Sequence, residues 1–514
     1  MEPELRKEAD LYEHPWDRQC VLSLDGGGIR GYSSLIILRR LMTKVKELET
    51  KDLEGDNRHA HSSFHPGKYI PCTNNIRNYA QSTRENGSTE TQGEGSDAGS
   101  TTCGECCRYL PCHYFDYIGG TSTGGLISIM LGRLRMSVDE CIKEYKKLSS
   151  DIFGHPRLAS VRGPIPWLRD KYDGKTIQRA VEDVVERRMS KEERQSGAGN
   201  FNSPLGLCRT VVFAYAQKIS KETSEYVSSS NRDGVDAELP NSAPYLFRSY
   251  DHWGAVPAVI TDRNPGIAHS NPIWEVARAT TAAPFYFDPV KISNRKFGDG
   301  GFGTNNPALE MFFEVASMNG NDIGCFNLLL SIGTGESSIS RLESGPLAKY
   351  LGYFRAARKL ASDSTQVHLQ MESLKENSEI PYHRFDVPER FELGRMKLDE
   401  LKMPTRRREG TLAKIERVTD EYCDTIAEEL NEVAVILVNH RKERMESDWW
   451  DLVSTGLRYR CRMRRCRRCQ ELRPRRKDLE LHLSKDHSLD GDALKDMLTK
   501  GICPPVQMEE QQQG

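Results

Sequence analysis

The sequence predicts an α/β fold with a mainly parallel central sheet. Residues 20–48 and residues 114–134 both follow the order of buried strand, glycine-rich turn and apolar helix. A further buried strand at residues 326–332 also runs into a glycine-containing turn. Strands that alternate with helices along a chain usually pair in parallel, with the helices as crossover connections.

The individual elements are predicted from hydrophobic patterns. Residues 20–24 and 114–118 are short, largely apolar runs typical of buried strands. The glycine-rich turns that follow them lead into apolar segments with helical spacing at residues 32–48 and 126–134. The remaining predicted elements are helices at 138–148, 174–194 and 273–281, a strand at 209–216, and mostly helical structure at 345–445.

Composition divides the chain into successive parts. These are an α/β domain at 20–340, a helical region at 341–450, a basic, cysteine-bearing module at 457–490 and a tail at 491–514. Residues 51–112 interrupt the first domain and are rich in small polar residues, which is typical of a flexible insertion. This insertion could cover a site, bind a partner or be merely tolerated. Its Cys103-x-x-Cys106 could hold a metal, but free thiols are the expected state.

Charge and hydropathy bound the class of protein. The formal net charge of -2 indicates no class of partner by itself. The N-terminus is charged and lacks the apolar core of a secretory signal, and no apolar run of 18 residues could span a membrane. We therefore expect a cytoplasmic protein, with peripheral attachment to membranes left open. Its 14 cysteines should be free thiols or metal ligands.

A candidate nucleophile lies in the second strand–turn–helix unit. The pattern Gly120-x-Ser122-x-Gly124 stands between a predicted strand and a predicted helix. A nucleophile elbow requires this context, because only small residues tolerate the close backbone approach at such a sharp turn. The pattern is short, however, and a glycine- and serine-rich turn without chemistry is the alternative.

The first glycine-rich turn is a candidate anion-binding loop. It comprises Gly26, Gly27, Gly28, Ile29, Arg30 and Gly31. Consecutive glycines allow several amides to point into one concavity, which could hold a phosphate or a tetrahedral oxyanion. The spacing also matches a dinucleotide-binding fingerprint, but Glu47 and Glu49 fall in the predicted helix rather than after a second strand. An oxyanion hole fits better, and a purely structural turn remains an alternative.

Three glycine-containing blocks identify a family resemblance. Asp25–Gly31 reads DGGGIRG, residues 120–125 read GTSTGG, and Asp299 begins the block DGGFGTNNP. Together with ARATTAAP at 277–284 and SIGTG at 331–335, these blocks closely resemble the patatin-like phospholipase family. The resemblance covers about residues 20–335 and implies a three-layer sandwich around the sheet.

The resemblance also implies a function and a set of catalytic residues. Ser122 would attack the ester carbonyl of a lipid or phospholipid, and Asp299 would act as the base, with no cofactor for catalysis. The loop Gly26–Gly31 would hold the oxyanion, with Arg30 as a nearby positive charge. The motif glycines are Gly120, Gly124, Gly300 and Gly301. A triad histidine is the alternative, but His113, His252 and His269 lie outside the family blocks and are interpreted as ordinary histidines.

The basic module carries a second candidate site. Cys466 and Cys469, followed by His482 and His487, have the spacing of a two-cysteine, two-histidine zinc finger. We therefore expect a structural zinc there, although Cys461 could replace one ligand. An arginine-rich helix with incidental cysteines and histidines is the alternative.

The basic module also suggests partners. Eleven lysines and arginines lie between Arg458 and Lys477, which could contact anionic membrane lipids, nucleic acid or a protein. A catalytically silent patatin-like scaffold, acting as a zinc-finger binding or signalling protein, is the alternative to the hydrolase. The intact Ser122, Asp299 and glycine loop argue against it.

Overall fold

The computed structural model describes most of the chain between residues 15 and 503. The described residues are 15–55, 109–154, 172–189, 199–203, 208–217, 244–252, 266–283, 286–293, 295–336, 364–378, 380–405, 409–445, 450, 458–464, 466–469, 471–473 and 476–503. Most of the expected insertion at 51–112, including Cys103 and Cys106, lies outside them. Its first residues, 51–55, form the end of a helix, and Leu110 and Cys112 are buried.

A mixed, mostly parallel sheet forms the centre of the large domain. Its strands are β1 (Gln19–Leu24), β2 (Tyr117–Thr121), β3 (Arg209–Gln217), β4 (Pro244–Arg248), β5 (Val290–Ile292), β6 (Arg295–Asp299), β7 (Phe326–Ile332) and β8 (Tyr382–Phe385). Strands β3, β2, β1, β7 and β8 pair in parallel in that order. Strands β4 and β6 pair antiparallel with β3, and β5 pairs antiparallel with β6. The predicted mainly parallel sheet is confirmed.

Helices cover both faces of this sheet. They are α1 (Gly31–Gly55), α2 (Pro111–Tyr114), α3 (Thr123–Ser128), α4 (Val138–Phe153), α5 (Gly174–Arg188), α6 (Ile273–Thr281), α7 (Ala308–Met318), α8 (Ser364–Ser378), α9 (Thr411–Thr425) and α10 (Ala427–Met445). Apolar residues of α7, such as Met311 and Val315, pack with Val211 and Leu329 on one face. Residues of α1, α4, α5 and α6 belong to the larger core on the other face. Among the described residues, no helix combines the length and the apolar content needed to cross a membrane.

Two elements differ from the sequence prediction around the elbow. The strand expected at 114–118 is displaced, because Pro111–Tyr114 forms a helical turn and β2 begins only at Tyr117. Proline is favoured in the first turn of a helix, where its missing amide hydrogen is not needed. The helix expected at 126–134 begins earlier as α3 and continues as a π-helical turn over Ile129–Arg133.

The boundary expected at residue 340 does not mark the end of the sheet. Strand β8 lies beyond it and pairs in parallel with β7. The following helices are also part of the domain: Arg441 on α10 forms a buried ion pair with Glu49 on α1, and Arg444 pairs with Asp116 at 2.6 Å. The sequence suggested a separate helical region because β8 is short and its charged residues obscure the strand pattern.

The C-terminal module is a small three-stranded sheet with two helices. Its elements are β9 (Arg458–Arg460), β10 (Leu472–Arg473), α11 (Arg476–His487), α12 (Gly491–Lys500) and β11 (Ile502–Cys503). Strand β9 pairs antiparallel with both β10 and β11. Because Leu498 of α12 is buried with Leu479 and Leu483 of α11, residues 491–503 belong to the module rather than to the expected tail.

Candidate active site

The sheet register places Ser122 and Asp299 on either side of β3. Thr121, the last residue of β2, is aligned with Phe213, and Asp299, the last residue of β6, is aligned with Ala214. Ser122 follows Thr121 directly and therefore lies level with Ala214 and its partner Asp299. Two stretches of chain that are 177 positions apart are brought together in this way.

The side chains of these two residues form a hydrogen bond. The hydroxyl of Ser122 donates to Oδ2 of Asp299 at 2.8 Å. The other carboxylate oxygen, Oδ1, accepts the amide of Gly301 at 2.7 Å. Asp299 is only 4% exposed, and these two hydrogen bonds compensate its carboxylate for the loss of water. The pair is the arrangement expected of a nucleophile and its base.

Ser122 stands on a sharp turn between β2 and α3. Its φ of 55° and ψ of −122° lie outside the regions that L-residues ordinarily occupy, as at a strained nucleophile elbow. Its amide is held by the hydroxyl oxygen of Thr280 at 2.8 Å, and that hydroxyl donates to the carbonyl of Phe213 at 2.6 Å. Thr280 lies in the ARATTAAP block, but its role could not be read from the sequence.

The motif glycines are explained by close backbone contacts around this turn. A Cβ on Gly120 would overlap the carbonyl of Gly124, and a Cβ on Gly124 would overlap the carbonyl of Leu24. A Cβ on Gly300 would overlap the carbonyl of Phe213 in β3. Gly301 contributes its backbone amide, which donates to Oδ1 of Asp299.

The glycine loop after β1 lies beside Ser122. A Cβ on Gly26 would be 3.2 Å from Cβ of Ser122. The amide of Gly27 donates to the hydroxyl oxygen of Thr123 at 3.2 Å, and the Gly28 amide has no acceptor among the described residues. Gly27 and Gly28 also line the same cavity as Ser122. These two amides are the candidate oxyanion donors.

The other residues of the expected oxyanion set have different contacts. The amides of Gly26 and Ile29 donate to the carbonyls of Asn305 and Leu398, at 3.0 and 2.7 Å. The amides of Arg30 and Gly31 donate to backbone carbonyls within the 3-10 turn at Gly28–Arg30. The Arg30 side chain donates to the carbonyl of Gly394 at 2.9 Å. These four amides have backbone acceptors, whereas the Gly27 amide has only its 3.2 Å contact with Thr123 and the Gly28 amide has no acceptor among the described residues. Gly27 and Gly28 are therefore the members of the expected oxyanion set that we keep as candidate donors.

A mostly apolar cavity opens next to the two side chains. Its apolar walls come mainly from α3, α4 and α5 and from the segment after α6: Leu126, Leu148, Ile152, Phe153, Ile177 and Phe287. Leu398 and Asp399 complete its rim, and Asp399 accepts a hydrogen bond from Tyr172 at 3.0 Å. An apolar wall with a few polar groups at one end suits an acyl chain better than a dinucleotide.

A buried ion pair supports the glycine loop from the opposite side. Arg384 of β8 donates to Asp25, the residue before the loop, and to Asp386, both at 2.8 Å. It also donates to the hydroxyl of Ser331 at 2.7 Å. No local pattern in the chain indicates this contact, because Arg384 is 359 positions from Asp25.

The three candidate triad histidines lie away from the cavity. Among the described residues that line it, none is a histidine. His113 contacts Arg135 at 3.4 Å, and His252 lies 3.9 Å from Glu314. His269 accepts the amide of Arg248 and contacts the hydroxyl of Tyr245. Burial lowers the pKa of His269 to about 4, which keeps its imidazole neutral near pH 7.

The residues expected to hold zinc are only partly brought together. Cys466, His482 and His487 lie in one cluster of candidate metal-binding side chains, and its fourth member is Cys461. Cys469 is not part of this cluster. The cluster therefore contains Cys461, the alternative ligand, in place of Cys469.

Comparison with known proteins identifies a family and several relatives that the chain resembles. The sequence model of the family "Patatin-like phospholipase" matches residues 99–312, which include Ser122 and Asp299. Human calcium-independent phospholipase A2-gamma is 28% identical over 51% of the chain and 29% of its own length. The rat protein of the same name is 26% identical over 67% of the chain and 39% of its own length. Intracellular phospholipase A2 of Caenorhabditis elegans is 31% identical over 54% of the chain and 22% of its own length.

The chain thus spans between 22% and 39% of the length of these three relatives. The matched family region contains the elbow and the block that begins with Asp299, whereas the glycine loop at 25–31 precedes it. The mostly parallel sheet flanked by helices is the fold expected from the resemblance. Residues 99–312 therefore match the patatin-like phospholipase family, and the resemblance expected from the sequence blocks is confirmed for this region.

Proposed function

We propose that the chain is a lipid acyl hydrolase that cleaves carboxylic ester bonds through Ser122 and Asp299. The observation that carries this proposal is the 2.8 Å hydrogen bond between the Ser122 hydroxyl and Asp299, at one end of a mostly apolar cavity. The phospholipase names of the relatives support the same class of substrate.

In the first half of the reaction the Ser122 oxygen attacks the ester carbonyl, and Asp299 accepts the hydroxyl proton. The carbonyl oxygen becomes an oxyanion, which the amides of Gly27 and Gly28 stabilise; each such donor is typically worth about 3 kcal/mol. Collapse of this intermediate breaks the bond to the alcohol, and Asp299 returns the proton to the leaving oxygen. The products are an acyl-enzyme and a lysolipid.

In the second half Asp299 accepts a proton from water, which attacks the acyl carbonyl. The same two amides hold the second oxyanion. When the bond to Ser122 breaks, Asp299 returns the proton to the serine oxygen and the fatty acid leaves. The hydrogen bond from the Gly301 amide to Oδ1 keeps the reacting oxygen, Oδ2, directed at Ser122 through both steps.

The apolar walls of the cavity are proposed to hold the acyl chain. Leu126, Ile152 and Ile177 form part of this surface, while Ser122 and Asp299 stand at its polar end. Two of the three relatives carry the words calcium-independent in their names. We therefore expect hydrolysis to continue when EGTA removes calcium. Complete loss of activity in EGTA, restored by added calcium, would contradict a calcium-independent mechanism.

The experiment is ester hydrolysis by the full chain on phospholipid vesicles, measured as released fatty acid. Ser122→Ala should abolish turnover, because no oxygen remains to form the acyl-enzyme. Ser373→Ala, at an exposed serine of α8, is the matched control and should leave turnover unchanged. Equal turnover by the parent and Ser122→Ala would rule out the nucleophile. A parent without any turnover would favour the silent scaffold that binds partners through its C-terminal module.

Peripheral binding to anionic membranes is a second part of the proposal. The C-terminal module exposes Arg462, Arg464 and Arg467 between its first two strands. Each basic residue near an anionic surface contributes on the order of 1 kcal/mol, and the attraction weakens as salt rises. Replacing Arg464 and Arg467 with glutamate should weaken co-sedimentation with phosphatidylserine vesicles but not with neutral ones. Unchanged binding would assign membrane contact to another surface.

A further inference from the structure

Four potential metal ligands meet inside the C-terminal module. The Sγ atom of Cys466 lies 3.3 Å from Nε2 of His482, and Sγ of Cys461 lies 3.6 Å from Nε2 of His487. The two histidine nitrogens are 3.3 Å apart. One ligand atom from each residue lies within 4.8 Å of every other. We infer that this cluster is a structural zinc site whose ligands are Cys461, Cys466, His482 and His487.

The spacing of the ligand atoms fits a single tetrahedral ion. With metal–sulfur bonds of about 2.3 Å and metal–nitrogen bonds of about 2.0 Å, the ligand atoms of a tetrahedron lie roughly 3.3–3.8 Å apart. The distances from Cys466 to His482, from Cys461 to His487 and between the two histidines fall in that interval, and the remaining ligand atoms lie within 4.8 Å of one another. Two sulfurs and two imidazole nitrogens are a set that zinc prefers, and they close the site because no position remains for a substrate.

The backbone around the two cysteines suits thiolate ligands. The amide of Met463 donates to Sγ of Cys461 at 3.4 Å, and the amide of Arg468 donates to Sγ of Cys466 at 3.3 Å. Each sulfur thus accepts the amide of the residue two positions further along the chain, and this contact fixes the position of the sulfur. Cys469 lies in the turn that follows, and its own amide donates to the carbonyl of Cys466. That turn separates the thiol of Cys469 from the cluster.

A carboxylate orients one of the histidines. Oδ2 of Asp486 lies 2.7 Å from Nδ1 of His482, so that Nε2 is the nitrogen that faces the cluster. Metal-binding histidines commonly make such a contact with their second nitrogen. Asp486 and both histidines are carried by α11, which places the ligands on one side of the helix.

The size of the module gives a reason for a metal. The apolar residues buried in its core are few: Tyr459, Cys461, Leu479, Leu483 and Leu498. A core of this size supplies little folding free energy, and small domains are commonly stabilised by a bound metal. Tyr459 stands two residues before Cys461 and packs against Leu479 and Leu483 across the sheet and helix.

A pair of variants distinguishes Cys461 from Cys469 as the second cysteine ligand. Zinc content of the purified full chain is measured by elemental analysis, and cobalt-substituted protein is examined for thiolate-to-cobalt absorption. The parent should hold one zinc ion and show absorption from two thiolates. Cys469→Ser, the matched control, should keep both properties. Cys461→Ser should lose at least tenfold in metal affinity.

A second variant answers the question even where Cys461→Ser fails to fold. Cys461→His replaces one sulfur ligand by a nitrogen, so cobalt should still bind while the thiolate-to-cobalt absorption falls to about half. Metal-free parent protein, or loss of metal in Cys469→Ser with retention in Cys461→Ser, would overturn the assignment. Released fatty acid is measured in the same samples, so failure of the metal site and failure of the hydrolase remain distinct results.

Discussion

The carboxylate of Asp299 makes two different contacts with its two oxygens: Oδ2 accepts the Ser122 hydroxyl, and Oδ1 accepts the Gly301 amide. The first contact is available for proton transfer, and the second fixes the orientation of the carboxylate. A general base that is held in place in this way needs no further side chain to direct it. A Cβ at position 301 would lie 3.1 Å from Oδ1 of Asp299, so the glycine leaves room for this close contact.

Replacement of Asp299 with asparagine should remove the base and keep its shape. An amide oxygen can still accept a hydrogen bond, but it cannot take up the serine proton at neutral pH. We expect turnover to fall by about 100-fold or more, with little change in melting temperature. Released fatty acid and thermal unfolding are the two measurements. Turnover above a tenth of the parent value would contradict the role of Asp299.

Thr280 should act as a positioning residue for the elbow. Its hydroxyl accepts the Ser122 amide and donates to the carbonyl of Phe213, so Thr280→Val breaks both contacts while keeping the side-chain shape. We expect kcat to fall roughly 10- to 100-fold, because a small shift of the nucleophile is costly. KM should change little, and Thr280→Ser should restore most of the activity. Equal kcat for both variants would argue against this role.

Glycine should be required at position 28 because of the backbone conformation there and because a side chain has no room. Its φ is +56°, and a Cβ there would overlap the carbonyl of Leu398. Gly320 also has a positive φ, of +74°, but a Cβ at that position would meet no atom within 4 Å, which makes Gly320→Ala the matched control. Each alanine should cost about 1–2 kcal/mol of stability through its backbone conformation. Only Gly28→Ala should lose turnover, since only it displaces the oxyanion loop.

The ion pair behind the glycine loop should be important for stability. Arg384→Met would leave Asp25 and Asp386 buried without their cation, and breaking such a pair costs about 3–5 kcal/mol. Arg395→Met is the control, because Arg395 and its partner Glu392 are both 58% exposed and such pairs contribute about 0–1 kcal/mol. Chemical denaturation measures both. Similar losses for the two variants would refute the supporting role of Arg384.

The stability of the domain should fall in mild acid through His269. Its pKa is lowered to about 4 by burial, whereas an unfolded histidine titrates near pH 6.5. The unfolded chain therefore takes up the proton first, and the contribution of His269, complete above about pH 6.5, is lost as pH falls towards 4. Of the stability that the parent loses between pH 7 and pH 5, we expect His269 to account for about 2 kcal/mol. His269→Asn, whose side-chain oxygen can accept the Arg248 amide, should show a smaller loss; an equal one would exclude this histidine as the cause.

Local patterns were sufficient to predict much of the sheet and the candidate nucleophile. Strands β1 and β7 and helix α6 lie where the sequence pattern predicted them. Ser122 was predicted from the Gly-x-Ser-x-Gly turn between a strand and a helix, whereas Asp299 was predicted only from the resemblance of its block to the patatin-like phospholipase family. Their 2.8 Å contact, however, depends on the register across β3, which the sequence does not encode locally.

Contacts between distant segments were beyond the reach of the sequence. The sequence does not indicate that Asn305 and Leu398, far along the chain, accept two amides of the expected oxyanion set. Strand β8 was missed because Arg384 and His383 interrupt its apolar pattern. In the C-terminal module, the spacing of Cys466 and Cys469 favoured that pair, and Cys461 was only the alternative ligand, because the sequence does not show which thiol faces the two histidines.

The most direct test of the mechanism is the site of covalent modification by a fluorophosphonate, which traps an activated serine. The full chain is labelled, digested and examined by mass spectrometry, beside Ser122→Ala and Asp299→Asn. We expect one adduct per chain, located on Ser122, with none in Ser122→Ala and much slower formation in Asp299→Asn. An adduct on another serine, present equally in all three proteins, would contradict the assignment of Ser122 and Asp299 as the catalytic pair.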